Sequence, residues 1–268
     1  NGSMGFDAFA KQAGFDDYFG MDEYNNEADF DGTWGIWDEQ FLNYFADEMN
    51  RFNEPFLSAV FTVSSHDPFK LPEKYEGVFP EGPGPILHSI GYTDNSMKLF
   101  FEKASKMPWY KNTLFVITAD HASTSFEPSY KTMAGGFSIP VFFYRPNEPE
   151  FAKVDSSLIQ QIDIMPSVLG YLGYDFEYFG FGNNVFEDSE SRFVVNFRDG
   201  VYQYFEGDYL VQYDGENVIG VYLFKTDYLL SNNLKGELEE IESYSVNKLK
   251  AFIQQYNNRM IDNQLIVK

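Results

Sequence analysis

Through residues 1–182 apolar side chains recur at helical spacing or gather into short unbroken runs; beyond that they alternate in brief segments split by Asp-Gly turns. Phe6, Phe9, Ala10 and Ala13 predict a helix that Gly14 ends, and Phe41, Leu42, Phe45 and Met49 predict a second over Asp38–Phe52. Residues 21–35 between them are acidic and Asn-rich and read as a surface loop. The run Pro55–Val63 predicts a buried strand, closed by Ser64-Ser65-His66-Asp67-Pro68-Phe69. Pro72, Pro80, Pro83 and Pro85, with Gly77, Gly82 and Gly84, exclude helix and central strand from 70 to 85 and leave a long loop. A helix over 86–106 then leads into the apolar strand Leu114-Phe115-Val116-Ile117. A further strand covers Ile139–Tyr144, and a helix containing Pro166 spans Ile159–Tyr171. Strand and helix in alternation predict an α/β fold with a mostly parallel sheet and helices on both faces.

Past Gly182 the period changes. Phe193–Phe197, Val201–Phe205, Tyr209–Tyr213 and Val218–Phe224 predict strands joined by Arg198-Asp199-Gly200, Glu206-Gly207-Asp208 and Asp214-Gly215-Glu216, a small antiparallel meander. A long helix over Lys235–Met260 closes the chain, with Leu238, Ile241, Leu249, Phe252, Ile253, Tyr256 and Met260 facing inward. The expected division is 1–182, an α/β domain, and 183–268, the meander with its packing helix.

Composition narrows the function classes. With 268 residues, 44% hydrophobic, the chain can build a core, and no run approaches the length of a membrane-spanning helix. A net charge of −22 opposes binding to nucleic acid or anionic lipid and raises the local cation concentration. The absence of cysteine removes disulfides, thiolate metal sites and cysteine nucleophiles, and fits an extracytoplasmic setting.

Candidate chemistry concentrates at Thr118-Ala119-Asp120-His121-Ala122-Ser123, directly after an apolar strand. Ligands collect beyond the carboxyl ends of strands in open α/β sheets, and an oxygen and a nitrogen donor side by side suit a divalent metal. A helix-capping aspartate followed by a surface histidine is the plainer alternative.

Four further matches resolve the dipeptide by context. Ser65-His66-Asp67-Pro68-Phe69, Tyr92-Thr93-Asp94 with Phe100-Phe101, Tyr110-Lys111-Asn112-Thr113 through Asp120-His121, and Ile139-Pro140 with Gln161-Ile162-Asp163-Ile164-Met165-Pro166-Ser167 occur in this order. Together they resemble the later part of the sulfatase and alkaline-phosphatase superfamily, in particular its lipoteichoic-acid-synthase and phosphoglycerol-transferase branch. The resemblance implies metal-assisted transfer of a phosphoryl or sulfuryl group through a covalent intermediate. It assigns Asp120 and His121 to a divalent metal, manganese first, with zinc, magnesium or calcium as alternatives. It makes His66 a contact to the phospho- or sulfo-ester substrate, whose alternative role is a turn residue before Asp67-Pro68. The threonine nucleophile and the acidic first ligand are expected upstream. Thr118, Thr124 and Thr132 lack the required strand-to-helix elbow, so no catalytic nucleophile is assigned in this chain, which is expected to be an inactive portion on its own. The resemblance further implies a monomeric extracytoplasmic domain whose only membrane attachment is through upstream helices.

Two other classes compete. A non-catalytic glycan-binding module would stack sugars on Trp34, Trp37, Trp109 or Tyr110. A two-carboxylate glycosidase would draw on the 41 acidic residues, none of which pairs at a distinctive spacing.

Overall fold

The computed structural model describes residues 3–149, 152–187 and 192–267. They form two compact units, one from residues 1–117 with 142–152, the other from 118–141 with 153–268.

In the first unit, α1 (Phe6–Gln12) ends before Gly14, whose φ of 89° a side chain would resist. The acidic segment after it holds two short turns, α2 (Met21–Tyr24) and a 3-10 turn, Glu27–Asp29. α3 (Asp38–Met49) and α4 (Ile86–Ala104) build the core by the 3.6-residue period read from the sequence. Leu42, Ala46 and Met49 of α3 meet Phe100 and Ala104 of α4 over Trp109, with Phe45, Phe56 and Phe115 packed around them. β1 (Phe115–Thr118) and β2 (Val141–Tyr144) form a two-stranded sheet.

The predicted strand Pro55–Val63 is not one. The segment has no regular secondary structure, and residues 55–62 make no backbone hydrogen bond and join no ladder among the described residues. Leu57 and Phe61, expected inside, are 77% and 57% exposed. Composition signals a chain that fits a sheet, but a strand exists only where a neighbour takes its N–H and C=O groups. The mostly parallel sheet is therefore absent among the described residues, whose strands form the β1–β2 pair and one antiparallel sheet. Leu57→Lys should accordingly shift thermal stability by no more than about 0.5 kcal/mol, the range of surface substitutions. A loss of several kcal/mol in a melting experiment would mean that the side chain is buried.

The second unit carries that antiparallel sheet: β3 (Phe193–Arg198), β4 (Val201–Glu206), β5 (Tyr209–Tyr213) and β6 (Val218–Tyr222), in chain order. Asp199 and Gly200 both take positive φ, 52° and 82°, the backbone a tight two-residue hairpin requires. The period of two sorts its faces. Tyr204 and Tyr213 pack on Leu249 of α6 (Glu239–Ile261), while Phe205 and Leu210 face Ala134 and Leu158. Gln203 belongs to the second face, and its amide donates to the Met133 carbonyl at 3.2 Å. The closing helix starts four residues later than Lys235, because Gly236 at φ 82° breaks the helical backbone. Of its expected inward residues Leu249 is buried, whereas Tyr256 and Met260 are about half exposed.

α5 (Ile164–Tyr171) is shorter than the helix predicted over Ile159–Tyr171. A single 3-10 turn, Gln161–Asp163, precedes it, and Pro166 sits in the first helical turn where its lost N–H costs nothing.

Candidate functional site

Asp120 and His121 lie just past the end of β1, both side chains more than half exposed. Their orientation is set locally. The His121 backbone N–H donates to Asp120 Oδ1 at 2.9 Å, which fixes the carboxylate. His121 Nδ1 lies 2.8 Å from the Ala122 carbonyl, which only accepts, so Nδ1 carries a proton in that contact, and in the neutral ring Nε2 keeps its lone pair. Nε2 then stands 3.4 Å from Asp120 Oδ2. Two ligands about 2.1 Å from a tetrahedral ion are about 3.4 Å apart, so the pair matches one edge of such a site. A carbonyl on the far ring nitrogen is also the usual partner of a metal-binding imidazole. Among the described residues no cluster of three or more His, Asp or Glu that could hold a metal ion forms, and the pair offers two donor atoms.

The segment is held from outside by Gln161, whose Nε2 donates to the carbonyls of Ala119 and Asp120, both at 2.9 Å. Gln161 is placed in turn by Asp163, which is 3% exposed and accepts the backbone N–H groups of Gln160 and Asn183. Burial pushes the Asp163 carboxyl above the usual carboxylate range, partly offset by those two N–H groups and by Arg192. Ser167 Oγ donates to the Asp163 carbonyl and accepts from Val185 N–H. Gly182 lies against Ile162 so closely that a Cβ would collide with its carbonyl, and this approach brings 183–185 within reach of Asp163 and Ser167. The Gln-x-Asp-x-x-Pro-Ser stretch is thus a scaffold for the Asp120–His121 loop. Sequence reading found the stretch but not its task.

His66 lies in the other unit. Its ring lies against Trp34, tilted by 53° with centroids 4.1 Å apart, and Trp34 Nε1 donates to the Asp67 carbonyl at 2.5 Å. His88 Nε2 reaches the Phe69 carbonyl at 2.6 Å and braces the far end of the turn. Beneath it, Asp38 Oδ1 accepts Val63 and Ser64 N–H, Asp38 Oδ2 accepts the Thr93 hydroxyl, and Asp38 N–H donates to Ser64 Oγ. Trp34, Ser64, His66 and Lys70 line a crevice of about 10 Å³, room for one water and too small for a sugar.

The remaining candidates are structural. Tyr92 is fully buried, with its hydroxyl accepting Glu39 N–H, and burial raises its pKa well above the ordinary phenol. Thr132 Oγ1 accepts Gly135 N–H inside a turn. Trp109 is core, which removes it from any sugar-stacking surface, whereas Trp34 is 44% exposed.

The sulfatase family model matches residues 2–174. The lipoteichoic acid synthase-like YvgJ of Bacillus subtilis is 24% identical over 206 residues, covering 68% of this chain and 33% of that protein. The chain thus spans about a third of the length of the curated relatives it matches. A protein of the alkaline phosphatase superfamily from Vibrio parahaemolyticus superposes with a TM-score of 0.73 at 24% identity, over 91% of this chain and 60% of that one. The lipoteichoic acid synthase LtaP from Listeria monocytogenes superposes at 0.71 with 20% identity, over 96% of this chain and 68% of that one. The fold is alkaline-phosphatase-like.

Proposed function

The chain belongs to the sulfatase family, and we propose that it is the later portion of a metal-dependent enzyme that transfers or hydrolyses phosphate or sulfate esters. The observation that carries this reading is the Asp120–His121 pair, two lone pairs 3.4 Å apart at the end of a strand. A divalent metal bound there supplies Lewis acidity toward the ester oxygens. Asp120 and His121 would hold it, manganese being our first choice ahead of zinc, magnesium or calcium. His66, braced between Trp34 and the Asp67 carbonyl, would donate a hydrogen bond to a substrate oxygen. The nucleophile and the other ligands would come from polypeptide beyond these residues, which would also give 55–62 its ladder partners in the expected parallel sheet.

The likeness to lipoteichoic acid synthases favours a phosphoglycerol-bearing lipid or glycan substrate and an extracytoplasmic setting. No helix among the described residues is long and apolar enough to cross a membrane. The acidic field disfavours polyanion binding.

Manganese content after loading and gel filtration tests the reading. The wild-type chain should retain sub-stoichiometric metal, and an Asp120→Ala/His121→Ala variant none. Equal metal in the two proteins would remove the pair from the site.

A further inference from the structure

Adjacent glutamines at the start of the 3-10 turn reach in two directions. Gln160 makes a two-way amide contact with β3: its Nε2 donates to the Phe193 carbonyl at 3.0 Å and its Oε1 accepts Val195 N–H at 3.2 Å. Gln161 spends both hydrogens of its amide on the carbonyls of Ala119 and Asp120. Between them the backbone is locked, since Gln160 N–H donates to Asp163 Oδ2 at 2.9 Å. The Asp120–His121 segment is therefore tied, through one dipeptide, to the edge of a four-stranded sheet.

We infer that Gln161 is the positioning residue of the Asp120–His121 pair, and that Gln160 anchors it to the sheet. This rests on the reading of that pair as a metal-binding half-site. The physical case is one of competing freedom. Asp120 and His121 are exposed, and the contacts that orient them reach no farther than the next residue: Asp120 to His121 N–H, and the His121 ring to the Ala122 carbonyl. Contacts that short keep the pair's internal geometry only while the loop backbone holds still. The amide of Gln161 is the polar contact that fixes the carbonyls of 119 and 120 to another element.

Chemistry restricts what can replace it. Glutamate has the same shape but no hydrogen to give, and it would set a carboxylate against two carbonyl oxygens. Asparagine is one methylene short of both. Because Gln161 is exposed, Gln161→Glu and Gln161→Asn should fold.

The test uses the intact chain and two readouts. The first is the imidazole ¹⁵N shift of His121 at a pH where the ring is neutral. With three histidines in the sequence, it is assigned by difference against His121→Ala. Wild type should report the Nδ1–H form that donates to the Ala122 carbonyl. Gln161→Glu and Gln161→Asn should move it toward the mixture of an unrestrained ring. The second readout is manganese affinity, which should fall about 10- to 100-fold in both variants, as for other partners that orient ligands from outside. Unchanged shifts in both variants would overturn the inference. The readouts also separate the two ideas. If the Asp120→Ala/His121→Ala variant binds as much manganese as wild type, the metal reading fails, while the ¹⁵N shifts still decide whether Gln161 positions the loop.

Discussion

Asp38→Ala should destabilise the first unit by about 3–5 kcal/mol, and Asp38→Asn by only about 1–2 kcal/mol. The difference follows from which oxygen faces which donor. Asp38 is 2% exposed, and its Oδ1 accepts two backbone N–H groups, from Val63 and Ser64, while Oδ2 accepts the Thr93 hydroxyl. Alanine strands two N–H groups, that of Ser64 buried and that of Val63 partly so, each costing up to roughly 1–3 kcal/mol. Asparagine can keep its carbonyl on the two N–H groups and turn its NH₂ to Thr93, whose hydroxyl accepts as readily as it donates. Only the charge assistance is lost. Tryptophan fluorescence follows this unit alone, because Trp34, Trp37 and Trp109 all lie in it. Denaturant unfolding read by that signal should place the three proteins in the order wild type, Asn, Ala. Equal losses for Asn and Ala would mean that the hydroxyl of Thr93 cannot serve as an acceptor. The turn bearing His66 follows directly on Ser64, so the alanine variant should also release the His66–Trp34 ring contact.

How much of this was legible beforehand depended on whether the signal was local. The meander could be read because each hairpin announces itself: Asp199-Gly200 carries the positive φ its turn needs, and the side chains alternate through four strands. The helix α4 could be read because Tyr92, Ser96 and Phe100 recur on one buried face. The segment Pro55–Val63 misled because its composition describes a strand while its partners are a matter of the rest of the sheet. The same division runs through the site. Asp120 and His121 stood out as neighbours in sequence, and His121 Nε2 lies 3.4 Å from Asp120 Oδ2. Asp38 gave no comparable sign, since an acid in the first turn of a helix is commonplace. Its partners Val63 and Ser64 are about 25 residues away. His88 and the Gln160–Gln161 clamps were equally hidden, each depending on a carbonyl or N–H brought near by the fold.

The second unit is held by a carboxylate of the same kind, wired differently, and the expected result is reversed. Asp163 uses both oxygens on backbone donors, Oδ2 on Gln160 N–H and Oδ1 on Asn183 N–H, each within 2.9 Å. An amide cannot accept an N–H group at each of its two ends, because its NH₂ has no in-plane lone pair. Asp163→Asn should therefore cost nearly as much as Asp163→Ala, about 2–4 kcal/mol in each case. A protonated carboxyl differs from the amide here, since its hydroxyl oxygen still accepts; burial can then raise the carboxyl's pKa without breaking the knot. The sign of the pH dependence follows. A raised folded-state value means that the native state binds the proton more tightly than the unfolded chain. The stability from this group is full below the ordinary carboxylate value and declines as pH climbs through the raised one. The gap between wild type and Asp163→Asn should thus be widest below the ordinary carboxylate value and narrow as pH climbs through the raised one. Far-UV circular dichroism, which sees β3–β6 and α6 together with α3 and α4, is to be compared with tryptophan fluorescence, whose three reporters lie in the first unit. An Asn variant as stable as wild type would show that one of the two N–H groups finds another acceptor. Loss of the Asp163 knot should also free Gln161, so either variant is expected to disorder Asp120 and His121 before the sheet itself unfolds.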